Sequence, residues 1–166
     1  MIPTWYLIRH ALATRSTSGY GSDILTASIL PDTIPAIQNI SRYLLTITES
    51  VQYSSELLRC RQTAAIIESV TEKKFIYDPR QNEYIEHSDT HAIEEFVDFK
   101  KRIISFVHTT LQTESSHIII VTHGAVIAAI THILTNGDFS KNTLLDYSPC
   151  GTLRTIRDQI VTNTQY

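Results

Sequence analysis

Cysteine is scarce in this chain. Only Cys60 and Cys150 occur among 166 residues, far apart and in no Cys-x-x-Cys pair. They give a zinc site no support; one disulfide is open to them, but two free thiols in a reducing cytosol is the reading. Glycine and proline are also few, five of each, which excludes collagen-like and low-complexity architectures. Neither sign of charge dominates: 14 Lys and Arg against 17 Asp and Glu leave a net −3 with His neutral. No broad basic surface follows, so nucleic acid is not an expected partner. No run approaches the roughly 20 apolar residues of a membrane span. The apolar stretch at residues 5–8 lacks the basic flank of a signal peptide. A soluble, cytoplasmic protein with no membrane partner is expected.

What remains is globular, 42% hydrophobic and 19% charged. The length fits one domain, over residues 1–166. Short apolar or β-branched runs at residues 5–8, 51–53, 75–77 and 117–121 predict strands, and residues 153–161 a final one. Between them lie helical periods. Ile34, Ile37, Ile40, Leu44 and Ile47 make one face of a helix over 31–48, with Pro35 in its first turn, where a missing N–H costs little. Residues 57–70, 93–112 and 124–134 predict three more helices; 11–28 and 80–92 have loop composition. Alternating strands and helices imply an α/β fold, a three-layer α/β/α sandwich with a mainly parallel central sheet. Ligands of such sheets bind beyond the carboxyl ends of the strands. That rule places Arg9-His10, residues 54–59, Glu83 and Thr122-His123-Gly124 along one edge.

The residue types at that edge suit an anion. A guanidinium forks onto phosphate oxygens, as Arg9 and Arg59 could. His123-Gly124 ends a strand and opens a helix, whose first N–H groups bind anions. Taken singly, each has an ordinary reading: a polar strand end, a solvated Arg, a plain strand-to-helix turn. No Gly-x-Ser-x-Gly and no Gly-x-x-x-x-Gly-Lys-Ser/Thr is present, and Ser115-Ser116 reads as a turn.

Together the segments resemble the histidine phosphatase superfamily, the phosphoglycerate-mutase-like proteins. Leu7-Ile8-Arg9-His10-Ala11 resembles its Arg-His-Gly signature. Residues 54–64 resemble its Ser-Ser-x-Leu-x-Arg-Cys-x-Gln-Thr-Ala stretch. Val121-Thr122-His123-Gly124 resembles the segment of its second histidine, and Asp23-Ile24-Leu25-Thr26 its Asp-x-x-Leu-Thr. The order is right, and the likeness runs from residue 5 to about 135. It implies that His10 is the nucleophile, that Arg9, Arg59 and His123 hold the phosphoryl oxygens, and that Ser16 and Gly124 complete the phosphate set. It also implies a general acid in the loop after the third strand. Glu83 is the candidate, with a raised pKa; Glu86 is the rival, and two solvated loop carboxylates is the other reading.

This sequence departs from the family at Ala11, where the signature has Gly, at Ala13, where many members have Thr, and at Ser16, where many have Asn. Arg-His-x-x-Ala and the short length are similar to the small phosphohistidine phosphatases, which typically lack the acid. The expected activity is hydrolysis of a phosphomonoester or phosphoprotein by way of a phosphohistidine on His10. The alternatives are a phosphohistidine phosphatase without an acid, a phosphoglycerate-type mutase, and a weakly catalytic binder of phospho-ligands. The expected partner is a small phosphorylated metabolite or a phosphoprotein. No cofactor and no metal are expected, because two Arg, a second His and helix N–H groups already supply positive charge. His87 and His91 stand four apart but lack a third ligand of recognisable spacing, so they read as loop residues. Arg15 and Arg61 either enrich the pocket or lie exposed.

Overall fold

The computed structural model describes residues 2–14, 24–86 and 91–166. In chain order the elements are β1 (Thr4–Arg9), α1 (Ile34–Leu44), β2 (Ser50–Ser54), α2 (Leu58–Thr71), β3 (Ile76–Tyr77), α3 (Phe96–Leu111), β4 (His117–Thr122), α4 (Gly124–Asn136), β5 (Thr152–Arg157) and β6 (Ile160–Gln165). They build one six-stranded sheet of order β3-β2-β4-β1-β5-β6. The first four strands pair in parallel, and β5 and β6 run antiparallel. The predicted α/β/α architecture with a mainly parallel sheet is the one observed.

β1 and β4 are central, with helices on both faces, so both strands are near-continuous apolar runs. Alternation along β1 divides its side chains between two cores. Trp5 and Leu7 join Ile118 and Ile120 of β4 against Phe99, Ile103 and Phe106 of α3 and Val126, Ile127 and Ile130 of α4. Tyr6 and Ile8 join Ile119 and Val121 against Ile37, Ile40 and Leu44 of α1 and Ile67 of α2. Each such aliphatic side chain, fully buried, contributes about 1.5–3 kcal/mol of transfer free energy.

The register positions the site. Arg9 pairs with Thr122, so the next residues, His10 and His123, leave the sheet side by side. Ser54 pairs with Val121, which sets Ser55 at the same edge.

Four boundaries differ from the sequence reading. The helix expected over 31–48 is a 3-10 turn at Pro31–Thr33 followed by α1, ending at Leu44; Ile47 is buried in the core without being helical. The helix expected from residue 93 starts at Phe96, and Ile93 lies 56% exposed. Phe75 is buried just ahead of its strand. The single final strand is a hairpin. Its turn residues Asp158 and Gln159 have φ of 49° and 65°, as a type I′ turn requires at both central positions. Asp-Gln carries none of the glycine that usually announces such a turn. Among the described residues no helix is long and apolar enough to cross a membrane.

Candidate active site

At the carboxyl ends of β1 and β4, the rings of His10 and His123 lie with centroids 5.2 Å apart, inclined by 60°. Both side chains are fully buried. The His10 ring is oriented by its neighbour: Nδ1 lies 2.7 Å from the Ala11 carbonyl oxygen, an acceptor only, so Nδ1 carries the proton. Arg59 Nε lies 3.2 Å from the other nitrogen, Nε2. A guanidinium N–H can only donate, so Nε2 keeps its lone pair and the ring is neutral. These assignments follow from the hydrogen-bond network.

Arg59 comes from the first turn of α2 and is itself fully buried. A buried cation is tolerated only where its donors are used. Its Nη2 meets His123 Nδ1 at 3.2 Å, and its Nη1 donates to the Ile24 carbonyl. One guanidinium therefore spans both imidazoles.

The tautomer of His123 follows from a chain of donors. The Glu56 backbone N–H donates to Asn82 Oδ1 at 3.0 Å, and the Ser55 hydroxyl donates to that same oxygen at 2.9 Å. Having spent its proton there, Ser55 Oγ accepts from His123 Nε2 at 2.8 Å. Nδ1 is thus the bare nitrogen, facing Arg59. Burial, then the Arg59 guanidinium, the neighbouring His10 ring and the Arg9 guanidinium, hold the His123 pKa well below its ordinary value, and the ring is neutral.

Glu83 reaches the same point. Its Oε2 lies 3.5 Å from His123 Nδ1, and its side chain is largely buried. Burial raises its pKa; Arg59, the Tyr84 backbone N–H, Arg9 and Arg102 oppose that without reversing it. The loop is pinned from beneath: Thr122 Oγ1 donates to the Gln81 carbonyl at 2.8 Å, and Arg102 Nη1 donates to the Arg80 carbonyl at 2.6 Å. Arg102 also forks onto Glu94. A cavity of about 450 Å³, lined by Asn82, Glu83, Ile85, Glu94, Asp98 and Arg102 among others, opens beside the carboxyl. Another, about 370 Å³, lies between Tyr43 and the β5–β6 hairpin, and none of the site residues line it.

Arg9 approaches from β1. Its Nη1 donates to the Ser148 carbonyl at 2.8 Å, and its guanidinium carbon sits 4.7 Å from the centroid of the Tyr147 ring. Its Nε is buried and has no acceptor among the described residues. Gly124 opens α4 directly after His123, so the positive end of that helix dipole lies at this edge. Cys60 Sγ lies 3.4 Å from His123 Nε2. Burial pushes its thiol far up, so it packs as a neutral group.

The structure thus brings Arg9, His10, Arg59, Glu83, His123 and Gly124 to one sheet edge. Ser16, Arg15 and His87 lie outside the described residues. Glu86 does not share the place of Glu83: it is exposed enough to pair with Lys141. Arg61 turns away, donating to the Glu56 carbonyl and lying over the Tyr77 ring. Among the described residues no group of three or more His, Cys, Asp or Glu could hold a metal ion. Sequence reasoning gave no role to Ser55, Asn82 or Tyr147. Ser55 sat inside a recognised motif, whereas Asn82 and Tyr147 stand in aperiodic loops that signal nothing.

The family model described as the histidine phosphatase superfamily (branch 1) matches residues 5–87 and 82–158. The chain belongs to the histidine phosphatase superfamily. Among solved structures it is similar to the alpha-ribazole phosphatase of Shigella flexneri, with a TM-score of 0.77 at 20% identity, covering 98% of this chain and 95% of that one. A mycobacterial glucosyl-3-phosphoglycerate phosphatase gives 0.75 at 16% identity, with 93% and 90% covered. The protein histidine phosphatase SixA complexed with tungstate gives 0.66 at 9% identity, with 97% and 94% covered. These likenesses are of fold. No curated protein sequence matches the chain.

Proposed function

We propose that this histidine phosphatase hydrolyses a small phosphomonoester through a phosphohistidine on His10, with Glu83 as the general acid. The observation that carries the reading is the position of Glu83: a largely buried carboxyl of raised pKa, 3.5 Å from His123 at the edge that also holds His10. A site for phosphohistidine alone has no need of it, because a phosphoramidate leaves without a strong acid. The neutral His10 with its lone pair on Nε2 fits a nucleophile.

In this mechanism Nε2 attacks phosphorus while the ester P–O bond breaks, and the Glu83 proton passes to the departing alkoxide. Arg9, Arg59 and His123 hold the equatorial oxygens, where charge builds in the loose transition state. For this attack Arg59 first releases Nε2, its N–H turning to a phosphoryl oxygen of the bound substrate. The Glu83 carboxylate next takes a proton from water, whose oxygen attacks the phosphohistidine. The P–N bond breaks, phosphate departs, and Nε2 regains its electron pair. The acid is restored by the same proton it accepted.

The test is a phosphatase screen over sugar phosphates, nucleotides, phosphopeptides and phosphohistidine, with His10→Ala as control. Wild-type turnover quenched in alkali traps an alkali-stable, acid-labile phosphoryl group that His10→Ala lacks. Comparable turnover by His10→Ala would sink the proposal.

A further inference from the structure

Tyr147 belongs to none of the motifs that located the site, yet two contacts tie its ring to site residues and a third ties its neighbour Ser148 to Arg9. The Arg9 guanidinium carbon lies 4.7 Å from the ring centroid, within reach of a cation–π attraction. Arg9 Nη1 donates to the carbonyl of the next residue, Ser148, at 2.8 Å. A Cβ on Gly124 would lie 3.0 Å from Tyr147 Cγ and 3.2 Å from Cδ2. A side chain at the head of α4 would push this ring by a few tenths of an ångström.

The backbone on either side of the ring is also held. The Arg154 guanidinium donates to the Asp146 carbonyl at 3.1 Å, and Ser148 Oγ donates to Asn163 Oδ1 at 3.0 Å. The residues on either side of Tyr147 are thus anchored to β5 and β6. The ring itself is 45% exposed, so it stands at the rim of the site.

Arg9 is a long side chain, and its usefulness to a phosphoryl group depends on which edge it presents. Tyr147 occupies a face of the guanidinium and Ser148 takes Nη1. The Nε edge remains, buried and without an acceptor among the described residues. A buried cationic N–H left in that state is costly unless an acceptor arrives. We propose that Tyr147 is a positioning residue, which holds Arg9 with its Nε–H turned to receive a phosphoryl oxygen. The inference rests on the phosphatase reading above. The aromatic ring acts, not the hydroxyl.

The experiment measures orthovanadate affinity and melting temperature for wild type, Tyr147→Phe, Tyr147→Leu, Gly124→Ala, Arg9→Gln and the Arg9→Gln/Tyr147→Leu double variant. Tyr147→Leu weakens vanadate about 3- to 10-fold, the span of a cation–π contact, and Tyr147→Phe stays within about twofold of wild type. Gly124→Ala, whose Cβ asks the ring to give by only a few tenths of an ångström, weakens vanadate less than Tyr147→Leu. In the Arg9→Gln background the Leu substitution adds nothing, because its effect runs through Arg9. A loss of equal size in that background, or unchanged affinity in Tyr147→Leu, overturns the inference alone. Wild type that binds no vanadate overturns the phosphatase reading with it.

Discussion

A single arginine touches both histidines. Arg59 donates to His10 Nε2 and meets His123 Nδ1, two contacts that need a planar fork of donors. Lysine offers one charge point on a flexible stem instead. Arg59→Lys is expected to weaken vanadate binding roughly 10- to 100-fold, the worth of one or two charge-assisted hydrogen bonds. Arg61→Lys, whose arginine lies over Tyr77, is expected to change it less than about twofold; isothermal titration checks both. As the general acid of the proposed mechanism, Glu83 sets the expected pH response. Its raised pKa extends the protonated, acid-competent form upward, so kcat/KM for an alkyl phosphate falls as pH rises through that value. Glu83→Gln is expected to remove this basic limb and to cost about 10²–10⁴-fold on alkyl phosphates. The cost on para-nitrophenyl phosphate, which leaves without a proton, is much smaller. Glu86→Gln, removing the partner of Lys141, serves as comparison; if it shows the leaving-group-dependent loss, the acid has been misassigned.

At the scale of elements, the strands that carry chemistry were the easiest to read. β1 and β4 are buried on both faces, so their sequences are dense in apolar residues and stop abruptly at Arg9-His10 and Thr122-His123. The Glu83 loop was legible only as a position after the third strand, since its shape depends on Arg102 from α3, distant in sequence. Tyr147 was illegible for the same reason: its meaning lies in Arg9 and Gly124, and no local period records them. The C-terminal hairpin was missed because Asp158-Gln159 forms a left-handed turn without glycine. A left-handed conformation costs a non-glycine residue about 1–2 kcal/mol. Replacing Asp158-Gln159 by Asn-Gly is therefore expected to raise unfolding stability by about 1 kcal/mol, as chemical denaturation would measure.

For the whole molecule, the site opposes stability from both sides of pH. The Glu83 carboxyl sits above its ordinary 4.5 when folded, so its favourable contribution is lost as pH rises from about 4.5 through the raised value. His123 sits below its ordinary 6.5, so folded stability is lost as pH falls below about 6.5, where the unfolded ring gains a proton that the folded ring refuses. Relative to wild type, His123→Gln is expected to gain melting temperature progressively below pH 6.5, and Glu83→Gln progressively above pH 4.5. Parallel curves for wild type and variant would show that these groups do not titrate differently on folding. The parallel register of β1 and β4 carries one more consequence, of a genetic kind. Volume-conserving apolar exchanges within these strands cost under about 1.5 kcal/mol. A one-codon deletion within residues 4–9 is another matter. It moves His10 one place along β1, against Thr122 rather than level with His123, and inverts every side chain that follows it in the strand. A library of codon substitutions and deletions across β1 should therefore yield many active substitutions and almost no active deletions.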